Sequence, residues 1–308
     1  MTAVPRSKTD TTVLILTAVV LLGQLLAAFV HGLTMLVIVV QVGFVFLHGA
    51  QRYGRRAIGV FVVGGLVISN ALENLSIQTG FPFGHYHYTG DGKIFQVPWF
   101  IGPAYLATGY LAWIVATVLL DDVRRDSTWL TTIGTPVVAA FAMTAWDLAM
   151  DPSFSTIEGH WVWENGGGFF GVPLGNFLGW TFTVYLFMQV FALYVRRRGP
   201  LPTAQSALSE STTASDLQGV LLYAATTISF FTDFVTGRHT TVTDAAGVTW
   251  RTADIHESSV LLTVYGMCFM ALLALLRIAQ RRTTAATSAP AASAVERAEP
   301  KPSARSSA

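Results

Sequence analysis

The chain has 308 residues, of which 52% are hydrophobic and only 12% are charged, and its mean hydropathy of +0.50 excludes an ordinary soluble domain. A formal net charge of +1 provides no concentrated basic face for nucleic acid. The single cysteine, Cys268, excludes a disulfide framework and a thiolate metal cluster. These quantities predict an integral membrane protein that has no nucleic-acid partner.

Eight apolar segments follow one another along the chain. Each is close to the roughly 20 residues that a helix needs to cross the hydrocarbon core. They lie at about residues 12–30, 33–50, 57–78, 101–120, 129–150, 174–195, 217–237 and 258–280. The pattern predicts an all-α, polytopic membrane helix bundle of about eight transmembrane helices, with a very tight turn at His31 and Gly32.

The basic residues predict the orientation of this bundle in the membrane. One side of the eight-span arrangement carries Arg6, Lys8, Arg52, Arg55, Arg56, Arg124, Arg125, Arg196, Arg197, Arg198, Arg277, Arg281 and Arg282, whereas the other carries Lys93, Arg238 and Arg251. By the positive-inside rule, both termini are cytoplasmic. We expect a single membrane domain over residues 1–282, a polar cytoplasmic linker at about 199–215, and a disordered cytoplasmic tail over 283–308.

Acidic side chains occur inside several predicted spans. Glu73 lies in the third span with Asn74 on the same helix face, Asp147 and Asp151 are four residues apart in the fifth, and Asp233 is near the outer end of the seventh. An ionisable group at mid-bilayer costs about 2.5 to 3.5 kcal/mol on insertion scales and marks function by default, although any single acid also fits a hydrogen-bonded packing role. Acids from several helices at a similar depth favour one shared cavity.

Two outer loops carry more side-chain chemistry than a connection requires. The first reads FPFGHYHYTGDGKIFQVPWF and contains His85 and His87, which face the same side if the loop is extended. The second reads DPSFSTIEGHWVWENGGGFFGVP, and its rigid aromatics and glycines suit a lid or re-entrant loop over an apolar ligand. Trp99, Trp161 and Trp163 fit an interfacial aromatic belt equally well.

Several blocks of sequence carry a family resemblance. They are ENLSIQTGFPFGHYHYTG, VPWFIGPAY, AWDLAMDP, GHWVWENGGGFFGVPLGNFLGW and the span around Asp233, in this order between about residues 57 and 280. Together they resemble the signature blocks of the CruF-type carotenoid 1,2-hydratases, a family of carotenoid biosynthesis membrane proteins. The resemblance implies an enzyme of the cell membrane that adds water across the terminal C1,C2 or C1′,C2′ double bond of an acyclic carotenoid end. It implies an acyclic or monocyclic substrate, either lycopene-like or a C50 bacterioruberin precursor.

The implied chemistry matches the residue types in the spans. Hydration of a trisubstituted alkene needs a proton at one carbon and a water molecule at the tertiary cation that forms on the other. A carboxylic acid in an apolar site can stay protonated as the donor, a second carboxylate or a histidine can deprotonate the water, and aromatic faces can stabilise the cation. We expect no cofactor and no metal, and the bilayer, the carotenoid and water as partners.

Roles for individual residues follow from this chemistry and from the matched blocks. We expect Asp147 and Asp151 to be the proton donor and its partner, Glu73 to orient water, and Asp233 to be a further catalytic candidate. The predicted substrate-binding residues are Asn74, His85, His87, Trp99, Trp146, Trp161, Trp163, Asn176 and Trp180.

Two other classes of protein stay open at this stage. The outer-side histidines and acids also suit a metal-dependent intramembrane hydrolase or hydroxylase, although the sequence contains neither HExxH nor the repeated His-rich boxes of membrane di-iron enzymes. An aromatic-lined apolar cavity suits a non-enzymatic carotenoid carrier as well as it suits a hydratase.

Overall fold

A computed structural model of the protein describes residues 8–30, 32–199 and 210–298. Within these ranges, eight helical stretches are long and apolar enough to cross a membrane. They are Asp10–Ala27, Leu33–Tyr53, Arg55–Thr79, Ile101–Leu120, Trp129–Ile157, Leu174–Arg198, Thr213–Thr236 and Thr252–Thr284. The prediction of an all-α polytopic bundle of eight spans is confirmed. The tight turn was predicted at His31 and Gly32, and His31 lies outside the described residues.

Ten α-helices and two π-helical segments build these spans in the part of the chain that is described. The helices are α1 (Lys8–Ala27), α2 (Leu33–Tyr53), α3 (Arg55–Thr79), α4 (Ile101–Leu120), α5 (Trp129–Asp151), α6 (Leu174–Arg198), α7 (Glu210–Ala225), α8 (Ile228–Thr236), α9 (Thr252–Leu262) and α10 (Phe269–Ala298). The π-helical segments, Pro152–Ile157 and Thr263–Cys268, follow α5 and α9. The seventh span is divided between α7 and α8 at Thr226 and Thr227, whose hydroxyls donate to carbonyls of the preceding turn.

Short β-strands lie in the loops at one end of the bundle, which we call the loop end. They are β1 (Tyr86–Tyr88), β2 (Lys93–Ile94), β3 (Val97–Pro98), β4 (Trp161–Trp163), β5 (Thr241–Thr243) and β6 (Thr249–Arg251). The pairs β1–β4, β2–β3 and β5–β6 are antiparallel. The pairing of β1 with β4 joins the loop after α3 to the loop after α5, so it brings together residues that are far apart in sequence.

Helix α4 lies at the centre of the bundle. Of its most apolar stretch, 72% is buried, compared with 17% of the corresponding stretch of α1. It packs on α2, α3, α5, α7 and α10. Small residues permit close approach: Leu66 of α3 reaches into the space that a side chain at Gly102 would fill, with its Cδ2 2.7 Å from the position of a Cβ atom there. This central helix therefore positions residues that reach both α3 and α5.

Two glycines end helices where the backbone must leave the right-handed region. Gly54 has φ 87° between α2 and α3, and Gly80 has φ 81° after α3. A left-handed backbone costs an L-residue roughly 1 to 2 kcal/mol, whereas glycine adopts it freely. The Gly80 turn directs the chain back over the end of α3, and the imidazole of His85 occupies the space beside it, 2.7 Å from the position of a Cβ atom.

An ion-pair network, buried around Arg52 and Asp216 and exposed at Asp121, lies at the end of the bundle opposite to the loop end. Arg52 at the end of α2 bonds to Asp122 over 3.1 Å and to Asp216 of α7 over 2.5 Å. Arg281 of α10 reaches Asp216 over 3.5 Å and Asp121 over 3.1 Å. The network ties α2, α7, α10 and the connection between α4 and α5 together.

The predicted linker and tail overlap with helices. Helix α7 begins at Glu210, inside the predicted linker at about 199–215, and residues 200–209 of that linker lie outside the described residues. Helix α10 continues to Ala298, past position 283 where we expect the tail to begin, and 299–308 are likewise outside. The domain boundaries and the cytoplasmic termini stay predictions.

Candidate active site

Glu73, near the loop end of α3, is the centre of a cluster of tyrosine hydroxyls. Only 3% of its surface is exposed. Tyr86 and Tyr88 of β1 donate to Oε2, the second over 3.0 Å, and Tyr105 of α4 donates to Oε1 over 2.9 Å. Hydrogen bonds to an ionised carboxylate contribute roughly 1.5 to 3 kcal/mol each. Glu73 therefore joins α3 and α4 to the strand that covers their ends.

The ladder of β1 and β4 turns four aromatic side chains into the bundle. Tyr86 lies opposite Trp163, and Tyr88 lies opposite Trp161. All four are buried, whereas His87 between the two tyrosines is exposed, because side chains alternate across a strand. The Tyr86 and Trp163 rings are 4.8 Å apart between centroids, and those of Tyr88 and Trp161 are 5.9 Å apart.

The two tyrosines of β1 remain hydrogen-bond donors over the physiological pH range. Burial raises the pKa of Tyr86 and of Tyr88 well above its usual value, and the nearby charge of Glu73 raises each further. A smaller contribution to the raised pKa of Tyr88 comes from Asp151. The charges of both carboxyl groups therefore affect the pKa of Tyr88, which is bonded directly to Glu73.

Asp151, the last residue of α5, is held by three N–H donors. Trp161 and Trp163 of β4 donate from Nε1 to its Oδ1 over 2.9 and 3.3 Å, and Asn176 of α6 donates from Nδ2 to its Oδ2 over 2.5 Å. Only 1% of Asp151 is exposed. Three donors aimed at one buried carboxyl group favour its ionised form. The tryptophans of the loop thus act as polar partners as well as apolar surface.

Asp147, one helical turn before Asp151, is fully buried and has fewer partners. The same Asn176 nitrogen donates to its Oδ2 over 3.0 Å, and its Oδ1 is buried without a hydrogen-bond partner among the described residues. The two carboxyl groups are neighbours, because both reach one amide nitrogen. A buried polar atom without a partner is rare in native proteins and needs an explanation. Here it marks a site where a proton or a ligand atom fits.

An aromatic wall extends from Glu73 toward Asp147. The Tyr105 ring stacks on Trp180 of α6 at 4.3 Å with an interplanar angle of 4°. Trp146, adjacent in sequence to Asp147, meets Trp180 edge to face at 6.4 Å. Faces of tryptophan and tyrosine attract a cation through the ring quadrupole. The arrangement combines carboxyl groups, donors and aromatic faces in one buried region.

The contacts of Glu73, Asp147 and Asp151 define what this region can do chemically. Two adjacent carboxyl groups with unequal numbers of donors are the groups that general acid and base chemistry requires, and aromatic faces lie beside them. A search with protein-family models finds that a model described as "Carotenoid biosynthesis protein" matches residues 33–249. The chain belongs to the carotenoid biosynthesis protein family. The resemblance predicted from the sequence blocks is confirmed.

A comparison with curated proteins supports the same family. The chain is 29% identical over 152 residues to bisanhydrobacterioruberin hydratase of Haloarcula japonica. The alignment covers 47% of this chain and 48% of that relative, so the chain matches about half of the relative's length. No solved structure matches the chain at a significant level. The family and this distant hydratase place the protein in carotenoid biosynthesis.

The family model matches residues 33–249 of this carotenoid biosynthesis protein, a range that includes all the site residues described above, from Glu73 to Trp180. Of the predicted site residues, the structure brings together Glu73, Trp146, Asp147, Asp151, Trp161, Trp163, Asn176 and Trp180. Their catalytic and substrate-binding roles stay predictions. The geometry shows that the residues are neighbours, which is what a shared site requires.

Two of the predicted substrate-binding residues lie elsewhere, in a groove on the outside of α3. Asn74 donates to the carbonyl and to the side-chain oxygen of Asn70 over 2.7 and 3.0 Å, and accepts from the Gln96 backbone over 3.1 Å. Trp99 lines the same groove and is 48% exposed. Asn74 does not share the inward face of Glu73, because consecutive helix positions differ by about 100° in direction.

The predicted loop histidines and Asp233 also lie apart from the cluster. His85 and His87 are exposed, and His87 makes an exposed ion pair with Glu164 over 3.3 Å. Asp233 is half-buried on α8, which packs mainly on α9 and α1. The structure therefore places these three residues outside the contacts that join the other predicted residues.

Sequence reasoning missed the tyrosines around Glu73. Tyr86 and Tyr88 alternate with the histidines in HYHY, so the alternation was present, but it did not show which pair turns inward. Tyr105 lies in the uniformly apolar α4, where no pattern distinguishes it. A tyrosine hydroxyl facing the buried Glu73 would have indicated these residues, but that contact can be seen only once the packing of the helices is known.

The histidines and acids are the residues that could bind a metal ion, and the sequence predicts no metal site among them. In the described ranges, no group of three or more His, Cys, Asp or Glu side chains is arranged to hold a metal ion. The ion pair of Glu158 with His160, at 2.8 Å, and the pair of His87 with Glu164 each contain two such side chains. Hydrogen bonding to Glu158 raises the pKa of His160 above its usual value.

Proposed function

We propose that this protein hydrates the terminal C1,C2 or C1′,C2′ double bond of an acyclic carotenoid end group and forms a tertiary alcohol. The observation that carries the proposal is the pair Asp147 and Asp151, joined by Asn176 and surrounded by tryptophan, in a chain of the carotenoid biosynthesis family. The relative from Haloarcula japonica is named as a hydratase, which supports the reaction type.

The paired carboxyl groups would hold one proton between them. Their Oδ2 atoms lie 3.0 and 2.5 Å from one amide nitrogen, so they are at most about 5.5 Å apart, and two negative charges at that distance repel each other by about 3 kcal/mol at an effective dielectric constant of 20. Asp151 has three N–H donors that favour its charge, whereas Asp147 has one donor and an unpaired oxygen. We therefore assign the proton to Asp147 and the negative charge to Asp151.

The reaction then follows from these protonation states. Asp147 transfers its proton to C2 of the alkene, and the π electrons form the new C–H bond, which leaves a tertiary cation at C1. Water attacks C1 through oxygen, and the proton that the water loses returns to the carboxyl pair. Atoms and charge balance, since the sum of the steps is the addition of one water. Oxidation state does not change overall, so no electron acceptor is required.

Neighbouring residues have supporting roles in this proposal. The faces of Trp146, Trp180 and Tyr105 stabilise the cation without trapping it as a nucleophile would. Glu73, which holds three tyrosine hydroxyls, positions Tyr105 and Tyr88 near the pair and orients the water. Positioned groups of this kind typically contribute 10²- to 10⁴-fold in rate when they transfer or orient a proton.

The family and the fold support a proposal for the substrate and for its location. We propose an acyclic or monocyclic carotenoid, either lycopene-like or a C50 bacterioruberin precursor, as the ligand, and the cell membrane as the place of action. With both termini cytoplasmic, the loop end and the candidate active site belong to the outer half of the bilayer. A carotenoid dissolved in the bilayer can reach such a site from the side.

The test is expression in a bacterial host that accumulates lycopene and related open-ended carotenoids, followed by liquid chromatography and mass spectrometry of the pigments. The expected product is heavier by one water, has its hydroxyl on the terminal tertiary carbon and forms without oxygen. A product that requires oxygen, or activity that chelation abolishes, would contradict the proposal in favour of metal-dependent chemistry. Pigment that co-purifies unchanged, with C50 precursors as well as with lycopene, would contradict it in favour of a carrier.

A further inference from the structure

A groove of about 770 Å³ lies on the outside of the bundle, between α3, the β2–β3 hairpin and the start of α4. Leu66 and Val67 form its apolar floor on α3, Asn70 and Asn74 lie one and two turns further on, and Trp99 belongs to its opposite wall. Its volume is in the range of sites for organic ligands, which is roughly 300 to 1,000 Å³. The groove is separate from Glu73, Asp147 and Asp151, which we call the carboxyl cluster.

The groove and the carboxyl cluster are nevertheless adjacent across the contact between α3 and α4. Asn74 on α3 lines the groove, and the preceding residue, Glu73, belongs to the cluster. Gly102 on α4 lines the groove, and Tyr105, one turn later, donates to Glu73. Each helix therefore contributes to both sites within about one turn, or about 5 Å of helix rise.

Apolar residues and four amide side chains, Asn70, Asn74, Gln78 and Gln96, line the groove, so its chemistry favours an uncharged, largely apolar ligand. None of the described residues that line it is ionisable. The nearby Lys93 donates from Nζ to the Tyr88 carbonyl over 2.7 Å, so its ammonium group is already bound to protein. A phospholipid headgroup would find no cation among the lining residues. A long unsaturated hydrocarbon needs only apolar and aromatic contacts.

The hairpin that forms the outer wall carries a strained aromatic residue. Phe95 has φ 57° and is 85% exposed, in a conformation that is uncommon for a bulky residue. Backbone strain of this kind persists at ligand-binding sites more often than elsewhere. Ile94 and Trp99 beside it are 54% and 48% exposed. The turn thus presents apolar side chains over the groove.

We propose that this groove binds the polyene chain of the carotenoid next to its reacting end, and that the end group passes from it between α3 and α4 into the carboxyl cluster. The inference rests on the proposed function for the choice of ligand, and it adds the route and the lining residues. Leu66 fills the space beside Gly102 and closes this route, so its side chain must move for the end group to pass.

Two substitutions on α3 test the groove with a matched control. Val67 lines it and is 61% exposed, whereas Val63, one turn earlier on the same helix, does not line it and is 62% exposed. Val67→Trp fills the groove, and Val63→Trp adds the same bulk to the helix surface. Each is combined with Asp147→Asn, which removes turnover, and purified from the lycopene-accumulating host. The carotenoid content per protein is measured by absorbance and the phospholipid content by mass spectrometry.

The expected result is at least a fivefold lower carotenoid content for Val67→Trp than for Val63→Trp, with equal melting temperatures. Equal carotenoid content in the two variants would overturn the inference, as would a loss of phospholipid in place of carotenoid. If Val67→Trp melts lower, Ala71→Leu provides a smaller filling change in the same groove. The outcome is independent of the reaction: carotenoid binding that depends on Val67 in a protein without hydratase activity would refute the proposed function alone.

Discussion

Replacement of Asp147 by Asn changes one atom of the side chain and removes the proton that we assign to it. The carboxyl group and the amide have nearly the same shape, and the Asn176 bond to the side-chain oxygen can be kept. If Asp147 is protonated in the resting protein, a neutral group replaces a neutral group. The substitution then separates the chemistry of the residue from its packing.

The expected magnitudes for Asp147→Asn differ for rate and for stability. Loss of a general acid lowers turnover by about 10²- to 10⁴-fold. The free energy of unfolding should change by only about 1 kcal/mol, the typical effect of a point substitution, since no charge is lost. If both Asp147 and Asp151 were ionised, the variant would instead be stabilised by about 3 kcal/mol through removal of their repulsion.

The assay measures hydrated carotenoid per protein and the melting temperature of the same detergent-solubilised sample. Turnover like that of the wild type would refute the role of Asp147 as the proton donor. A large gain in stability at neutral pH would refute the assignment of the proton, because it would show that both carboxyl groups were charged. Activity and stability lost together would mean that Asp147 supports the fold instead of the reaction.

Asp216→Asn is the matched control, since Asp216 is also buried, with 3% of its surface exposed. Its carboxylate pairs with Arg52 over 2.5 Å and with Arg281 over 3.5 Å, at the opposite end of the bundle. Breaking a buried ion pair costs about 3 to 5 kcal/mol when a charge is left unpaired; here Arg52 keeps Asp122 and Arg281 keeps Asp121, so we expect a loss no larger than the lower end of that range. We expect this variant to lose stability and to keep its turnover per folded molecule, the reverse of Asp147→Asn.

Three further predictions concern the neighbourhood of the site. Tyr105→Phe keeps the ring stack but removes one hydrogen bond to the α3 carboxylate, so turnover should fall about tenfold, equivalent to about 1.4 kcal/mol. Gly167→Ala should lower the melting temperature strongly, because its Cβ would lie 2.1 to 2.2 Å from backbone atoms, whereas Gly168→Ala should be tolerated, because its Cβ would meet nothing within 4 Å. The pair of Glu158 with His160 should stabilise the fold at about pH 6 and lose this contribution as the pH rises, since the pKa of His160 is raised in the folded state.

Each of these has its own control and contrary result. Tyr223→Phe removes a buried hydroxyl that donates to the Ala142 carbonyl over 2.8 Å, so it should leave turnover unchanged; an equal loss in both tyrosine variants would argue against a specific role for Tyr105. Equal melting temperatures of the two glycine variants would show that the backbone at Gly167 can move away. For the ion pair, the melting temperature of Glu158→Gln is compared with that of the wild type at about pH 6 and about pH 8.5, and a difference that grows with pH would contradict the sign.

The spans and the carboxyl pair could be predicted from the sequence because simple geometry determines them. The thickness of the hydrocarbon core sets the length of each apolar segment, and the composition marks where each one ends. Asp147 and Asp151 are four residues apart, so any α-helix places them on the same side. Both carboxyl groups accept a hydrogen bond from Asn176, so the predicted placement on one side of the helix is found in the folded protein.

The partners of these carboxyl groups depend on contacts between segments, which periodicity does not report. The indole donors to Asp151 come from β4, whose three residues are too few to show a pattern, and their inward direction depends on pairing with β1. Tyr105 meets Glu73 only because α3 and α4 pack closely. Asn74 was grouped with Glu73 by spacing, but the packing of α4 on one side of α3 leaves Asn74 in the groove.

The candidate active site consists of two parts, each local in the chain, which the ladder of β1 and β4 joins. The bonds of Glu73 reach at most 32 positions along the sequence, to Tyr105, and those of Asp147 reach 29, to Asn176. Each part is thus complete once two consecutive spans have left the ribosome, and the strand pairing, the aromatic stack on Trp180 and the packing of α3 on α6 and of α4 on α5 then unite them. Segments exchanged between relatives at the connection of α4 and α5 would keep both parts whole, so chimaeras divided there can show which part selects the carotenoid.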